Sequence, residues 1–154
     1  MDTLQARIRS IPDFPQPVIL FYAITMLLRD PLGFKTALDG MSTPYQGQGI
    51  SLVIGIESRG FILGAAVADR LGVGFCPIRK PGKLPAKTLK ETFQLAYGSA
   101  AIEIPADAHD PGQRGLSVEA GRAAGGPATG APARGDGWGG GVTRPRVLSL
   151  QVRL

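Results

Sequence analysis

The chain has 154 residues, 44% of them hydrophobic, which is enough for one domain with a real core. No apolar run approaches the ~20 residues that would span a bilayer, and no basic segment leads into an apolar one at the N-terminus, so a cytoplasmic protein with no membrane partner is expected; the single cysteine excludes an intrachain disulfide framework or a cysteine-based metal site. The net charge of +5 suggests nucleic acid until it is divided: residues 1–113 carry 11 basic and 10 acidic side chains, whereas residues 114–154 carry six arginines against Glu119 and Asp136, so the basicity belongs to a tail with one aromatic residue and no nucleic-acid partner is expected.

Asp2 or Thr3 can cap a short helix with Leu4, Ile8 and Ile11 on one face, after which Pro12, Pro15 and Pro17 predict an extended path. Val18 to Leu28 is almost wholly apolar and fits strand, helix or both. Asp30-Pro31 is a helix start, an N-cap acid followed by proline at the first helical position. Phe34, Ala37 and Leu38 would face the core, with Gly40 ending the helix.

Ser51 to Ile56 is a β-branched run short enough for a buried strand, broken by Glu57-Ser58-Arg59-Gly60. Phe61 to Leu71 then predicts a helix, with Ile62, Ala65 and Ala66 at helical spacing and Gly72 as its stop. Val73 to Ile78 is a second strand, and Cys76 within it packs as a small apolar side chain. Strand, helix, strand in about 30 residues is a βαβ unit of a parallel sheet. Both following loops must then emerge at the carboxyl edge, where such folds bind ligands. There Arg59, Arg79, Lys80 and Lys83 could converge with a helix N-terminus on a phosphate or diphosphate.

Phe93, Leu95 and Tyr97 alternate, Gly98-Ser99 can turn, and Ile102 and Ile104 follow, which predicts a β-hairpin. Glu91 and Glu103 read as solvated hairpin charges. His109 lies in Asp107-Ala108-His109-Asp110-Pro111-Gly112, just before the turn sequence Asp-Pro-Gly, and is given no functional role. From Pro127 to Gly141 the chain is mostly Gly, Ala, Pro and Arg, without a period that could bury a helix face; only Arg146 to Leu154 alternates like a strand. The expected organisation is a domain over residues 1–118 and a poorly packed or disordered tail over 119–154.

Glu57-Ser58-Arg59-Gly60-Phe61, followed by Arg79-Lys80-Pro81-Gly82-Lys83-Leu84-Pro85, closely resembles adenine phosphoribosyltransferases, and the resemblance runs from Ile11 to about Arg114. It implies an α/β fold, a parallel central sheet flanked by helices with a hairpin lid, whose C-terminal part is incomplete here. The implied reaction is purine salvage: adenine and 5-phosphoribosyl 1-diphosphate give AMP and diphosphate, with Mg2+ bound to the diphosphate and a homodimer as the assembly. Carried over residue by residue, Phe21 would stack on the purine, Arg59, Arg79, Lys80 and Lys83 would hold the diphosphate, and Glu119 with Gly125 and Gly126 would remain from the ribose-phosphate site.

The family's Phe-Arg-Asp-Ile-Thr stretch is Phe21-Tyr22-Ala23-Ile24-Thr25 here, and Val18 stands where the family has glycine. The family glutamate that handles the proton on adenine is Ala96, so no catalytic residue is assigned. Turnover is therefore expected to be impaired or lost, and a non-catalytic nucleotide- or diphosphate-binding module is the alternative. Two origins fit the segment after Arg114: a reading-frame shift in a GC-rich gene, or a divergent tail. Reading the encoding nucleotides in the other two frames decides between them: an acidic pair followed by Ala-Thr-Gly-Gly-Thr establishes the shift, and finding none removes it.

Overall fold

The computed structural model describes residues 4–95, 98–110, 112–120 and 146–152. Its centre is a four-stranded parallel sheet in the order β4-β3-β7-β8, built from β3 (Leu52–Ile56), β4 (Gly74–Ile78), β7 (Arg114–Ala120) and β8 (Arg146–Val152). Strand β3 is paired on both sides, which explains its unbroken apolar sequence: Leu52 to Gly55 are all buried. Its odd and even residues serve different layers. Val53 joins Leu116 and Val118 of β7 against α2 (Pro31–Ser42) and α3 (Arg59–Leu71), through Leu38, Met41, Leu63, Val67 and Ala68. Leu52 and Ile54 face the other way, with Cys76 and Ile78, against Ile104.

Ile104 belongs to a hairpin of β5 (Thr88–Leu95) and β6 (Gly98–Pro105), which covers the sheet face opposite the helices. Val53, Val67, Leu116 and Val118 are fully buried, each contributing about 1.5–3 kcal/mol of transfer free energy. Burial pushes the Cys76 thiol up to about 11, with Asp107 adding to the effect, so at neutral pH it is an inert apolar group. Among the described residues no helix is long and apolar enough to cross a membrane.

Several boundaries differ from the sequence expectation for physical reasons. Leu4–Arg7 form a 3-10 turn, and Ile11 lies in a strand, β1 (Arg9–Ile11), that pairs antiparallel with β2 (Phe21–Ala23). The prolines between them make a closed loop, not an extended path, tied by Phe14 N–H to Ile19 C=O and by Val18 N–H to Asp13 Oδ1. Val18 sits there at φ +73°, a conformation that disfavours β-branched residues. The apolar stretch after it is both strand and helix, since α1 (Thr25–Arg29) follows β2.

Asp30 caps α2 as expected, its Oδ2 accepting Gly33 N–H at 2.8 Å. The helix runs past Gly40 to Ser42, carried by burial of Met41 and by the Ser42 hydroxyl donating to Leu38 C=O. Gly98 and Ser99 are strand residues opposite Leu95 and Gln94, so they do not form the turn. Strand β7 crosses residue 118, and Arg146–Val152 add β8 to the same sheet; residues 121–145 lie outside the described residues.

The buried face of α3 is Gly60, Leu63, Gly64, Val67 and Ala68, with Ile62 half exposed and Ala65 exposed. Glycine decides this. A Cβ on Gly60 would lie 2.5 Å from Val118 O, and one on Gly64 3.0 Å from the Phe75 ring, so the helix touches the sheet where it has no side chains. Gly60→Ala therefore forces backbone apart and is expected to destabilise by about 1–3 kcal/mol or more. Gly40→Ala, whose Cβ would meet nothing within 4 Å, is expected to stabilise by about 1 kcal/mol. Urea denaturation of the two variants beside the parent chain checks both signs.

Candidate functional site

Strands β3 and β4 run side by side to Ile56 and Ile78, so the segments that follow them leave the sheet at one edge. Helix α3 starts within this edge, two residues earlier than the sequence period indicated, and Arg59 is its first residue. Ser58 provides no side-chain cap, and the Glu57–Ser58 peptide bond is cis. The first-turn N–H groups thus lack a side-chain cap, on the helix end that favours anions.

One carboxylate joins the two segments. Glu57 Oε2 accepts Arg79 Nε–H at 2.9 Å and Lys80 N–H at 3.4 Å, and Oε1 accepts Lys83 Nζ–H at 3.1 Å. Its side chain is 10% exposed, against 35% for Arg79 and 49% for Lys83, so the acid is the group that depends on the pairing. Leaving a nearly buried carboxylate unpaired is costly. The bond from Arg79 holds the Glu57 carboxyl below its ordinary value of 4.5, burial opposes this, and Lys83 and the Lys80 N–H reinforce it.

The four predicted cations therefore divide. Arg79 and Lys83 are committed to Glu57, and the Arg79 guanidinium also lies 5.8 Å from the Phe61 ring centroid. No described carboxylate pairs with Arg59 or with the Lys80 ammonium. Arg59 instead lies over the Phe21 ring, 4.6 Å from its centroid, and Phe14 meets that ring edge-on at 5.2 Å. The residue expected to stack on a base is thus in contact with a residue expected to hold an anion.

Strand β7 ends beside them. Val118 is in register with Gly55, so Glu119 follows at the same edge. Ala96, Gly125 and Gly126 lie outside the described residues. Two cavities of about 270 Å³ lie apart from the cations, one lined by Tyr45, Gly47, Ile50 and Arg70, the other by Gln5, Ile8, Ser10 and Tyr22. His109 Nδ1 is buried without a hydrogen-bond partner, and among the described residues no group of three or more His, Cys, Asp or Glu side chains could hold a metal.

Sequence reasoning missed Glu57 and Glu103 as organising acids. Glu103 is not simply solvated: its carboxylate accepts Gly82 N–H at 3.2 Å. Neither had a local signal: the cations that pair with Glu57 lie 22 and 26 residues away, and the amide that bonds Glu103 lies 21 residues away.

Comparison with known proteins now bears on a defined geometry. Over 118 residues the chain is 52% identical to the adenine phosphoribosyltransferase of Acidobacterium capsulatum, covering 77% of this chain and 65% of that protein. Over 130 residues it is 49% identical to the adenine phosphoribosyltransferase of Koribacter versatilis, covering 84% and 71%. The chain belongs to the adenine phosphoribosyltransferase family. A crystal structure of adenine phosphoribosyltransferase from Rhodothermus marinus matches with a TM-score of 0.71 at 49% identity, over 75% of this chain and 66% of that one. No protein-family model matches. The chain thus spans about two thirds of the length of these adenine phosphoribosyltransferases.

Because the Glu57 carboxyl is held low, its contribution to stability is complete above its ordinary value and is lost as pH falls through the depressed one. Glu57→Gln is therefore expected to lower the melting temperature at neutral pH, with the gap from the parent closing as acidification passes below the ordinary carboxyl value of 4.5 and through the depressed one. Thermal unfolding across pH checks this, and a gap that does not change with pH contradicts the assigned role.

Proposed function

We propose that this edge of the sheet is the diphosphate end of a phosphoribosyltransferase site, and that the chain descends from enzymes transferring phosphoribose from 5-phosphoribosyl 1-diphosphate to N9 of adenine. The observation that carries the reading is the juxtaposition of Arg59, uncommitted to a carboxylate, with the Phe21 ring and with a cationic turn held by Glu57. Arg59 and the Lys80 ammonium are the cations available to a diphosphate. As the sugar–diphosphate bond breaks, negative charge grows on the leaving group, and these fixed charges act there without reorganising. Arg79 and Lys83 serve at one remove, by fixing the turn that carries Lys80.

Magnesium enters as part of the substrate, held by the diphosphate oxygens. The described acids do not make a cage for it: Glu57 is paired with cations and Glu103 with a backbone N–H. The donor is highly charged and does not cross membranes unaided, which supports a cytoplasmic setting. A second copy of the chain is the proposed partner, on family grounds.

Two departures bear on rate. Ala96 cannot move a proton where the family has glutamate, which alone removes about 10²- to 10⁴-fold. From Ala120 onward the chain lacks the family's second acid, whose position is Ala120, and both threonines, and with them residues that position the ribose phosphate. Oriented binding supplies as much as ~7–11 kcal/mol of barrier lowering, so this second loss dominates.

Magnesium diphosphate is expected to bind the chain in calorimetry, with Arg59→Ala weakening binding about tenfold. Absence of any binding overturns the site. In an assay with radiolabelled adenine, the sugar diphosphate and magnesium, AMP formation is expected to run at least about 100-fold below that of a full-length relative. Turnover within tenfold of the relative contradicts the impairment.

A further inference from the structure

The turn Lys80-Pro81-Gly82-Lys83 places Lys80 at the diphosphate site proposed above, and its conformation is set by few groups. Gly82 has φ +80°, and a Cβ there would meet nothing within 4 Å, so glycine is required by the backbone angle and not by crowding. Proline followed by glycine at positive φ is the signature of a type II turn, which differs from type I mainly by a flip of the central peptide plane. Here that plane is the Pro81–Gly82 peptide, whose one donor is Gly82 N–H.

That donor is taken by Glu103 Oε2 at 3.2 Å. Glu103 is well fixed. Its own backbone exchanges two hydrogen bonds with Arg79, N–H to C=O at 3.0 Å and 2.7 Å, which extends the contact between the edge of the sheet and strand β6. The next residue, Ile104, is 4% exposed in the cluster with Cys76 and Ile78. A second backbone donor of the turn, Lys80 N–H, goes to Glu57. The turn is therefore held by two carboxylates from two different elements, one on the strand side and one on the hairpin.

We propose that Glu103 is a positioning residue: by accepting Gly82 N–H it selects the orientation of the Pro81–Gly82 peptide and ties the cationic turn to the β5–β6 hairpin, so that Lys80 is presented to the anion. This rests on the reading of the edge as a diphosphate site. Glu103 touches no substrate in this scheme. Its negative charge by itself disfavours a nearby anion, so what it contributes is geometry.

The paired variants Glu103→Gln and Glu103→Ala separate the two effects, because both lose the charge and only glutamine keeps an acceptor oxygen. Two measurements on the full chain are made for each: hydrogen exchange of the Gly82 amide, and calorimetric affinity for magnesium diphosphate. Exchange at Gly82 is expected to be about tenfold faster in the alanine variant than in the glutamine variant, and diphosphate affinity several-fold weaker. Equal exchange in the two variants overturns the proposal, as does equal affinity once binding to the parent is established. If the parent binds no diphosphate, the reading of the site fails, and Gly82 exchange still decides whether Glu103 holds the turn.

Discussion

A single carboxylate makes the carboxyl edge of this sheet one object. Glu57 follows a buried strand paired on both sides, is itself nearly buried, and must be neutralised where it stands. The cations that do so come from the segment after the neighbouring strand, which is thereby drawn across the edge and fixed. Parallel pairing of β3 and β4 brings the two segments to the same end of the sheet, but only the ion pairs bring their side chains into contact.

The fixed point for that arrangement is the close approach of α3 to the sheet. Gly60 and Gly64 allow the helix backbone to rest against Val118 and Phe75, and Gly55 leaves room for Gly60 O and the Phe75 ring. Arg59 starts the same helix, so the packing that buries Leu63 and Val67 also sets where its guanidinium can reach. It reaches Phe21, in the strand that leads to α1. Core packing and site geometry are thus one problem for this helix.

The edge proposed as the diphosphate end keeps the sequence that resembles the adenine phosphoribosyltransferase family, whereas departures from that resemblance fall at Ala96 and Val18. Ala96 replaces an acid, and Val18 occupies a left-handed position where the family has glycine, which accounts for the family's choice of residue there. These departures do not touch Glu57, Arg79 or Lys83. An edge held by internal ion pairs can persist while residues used only by the substrate change, because its stability does not depend on the ligand.

Much of the fold was legible from local pattern. The βαβ unit, the Asp30 cap and the presence of a hairpin all follow from runs of residues that touch their own neighbours, and those determinants lie within a few residues of the element they specify. The motif residues Arg59, Arg79, Lys80 and Lys83 were legible as a set for the same reason. The face that α3 buries was not, since glycine gives no hydrophobic signal and its use here depends on Val118, 58 positions away in the sequence. Nor was the division among the four cations: sequence shows like charges in like loops, and only the fold puts Glu57 beside two of them. The amino-acid order thus determined which chemistry is present at this edge, while tertiary structure decided which charges are left over for a ligand, because pairing of charges is set by distance in space and by burial.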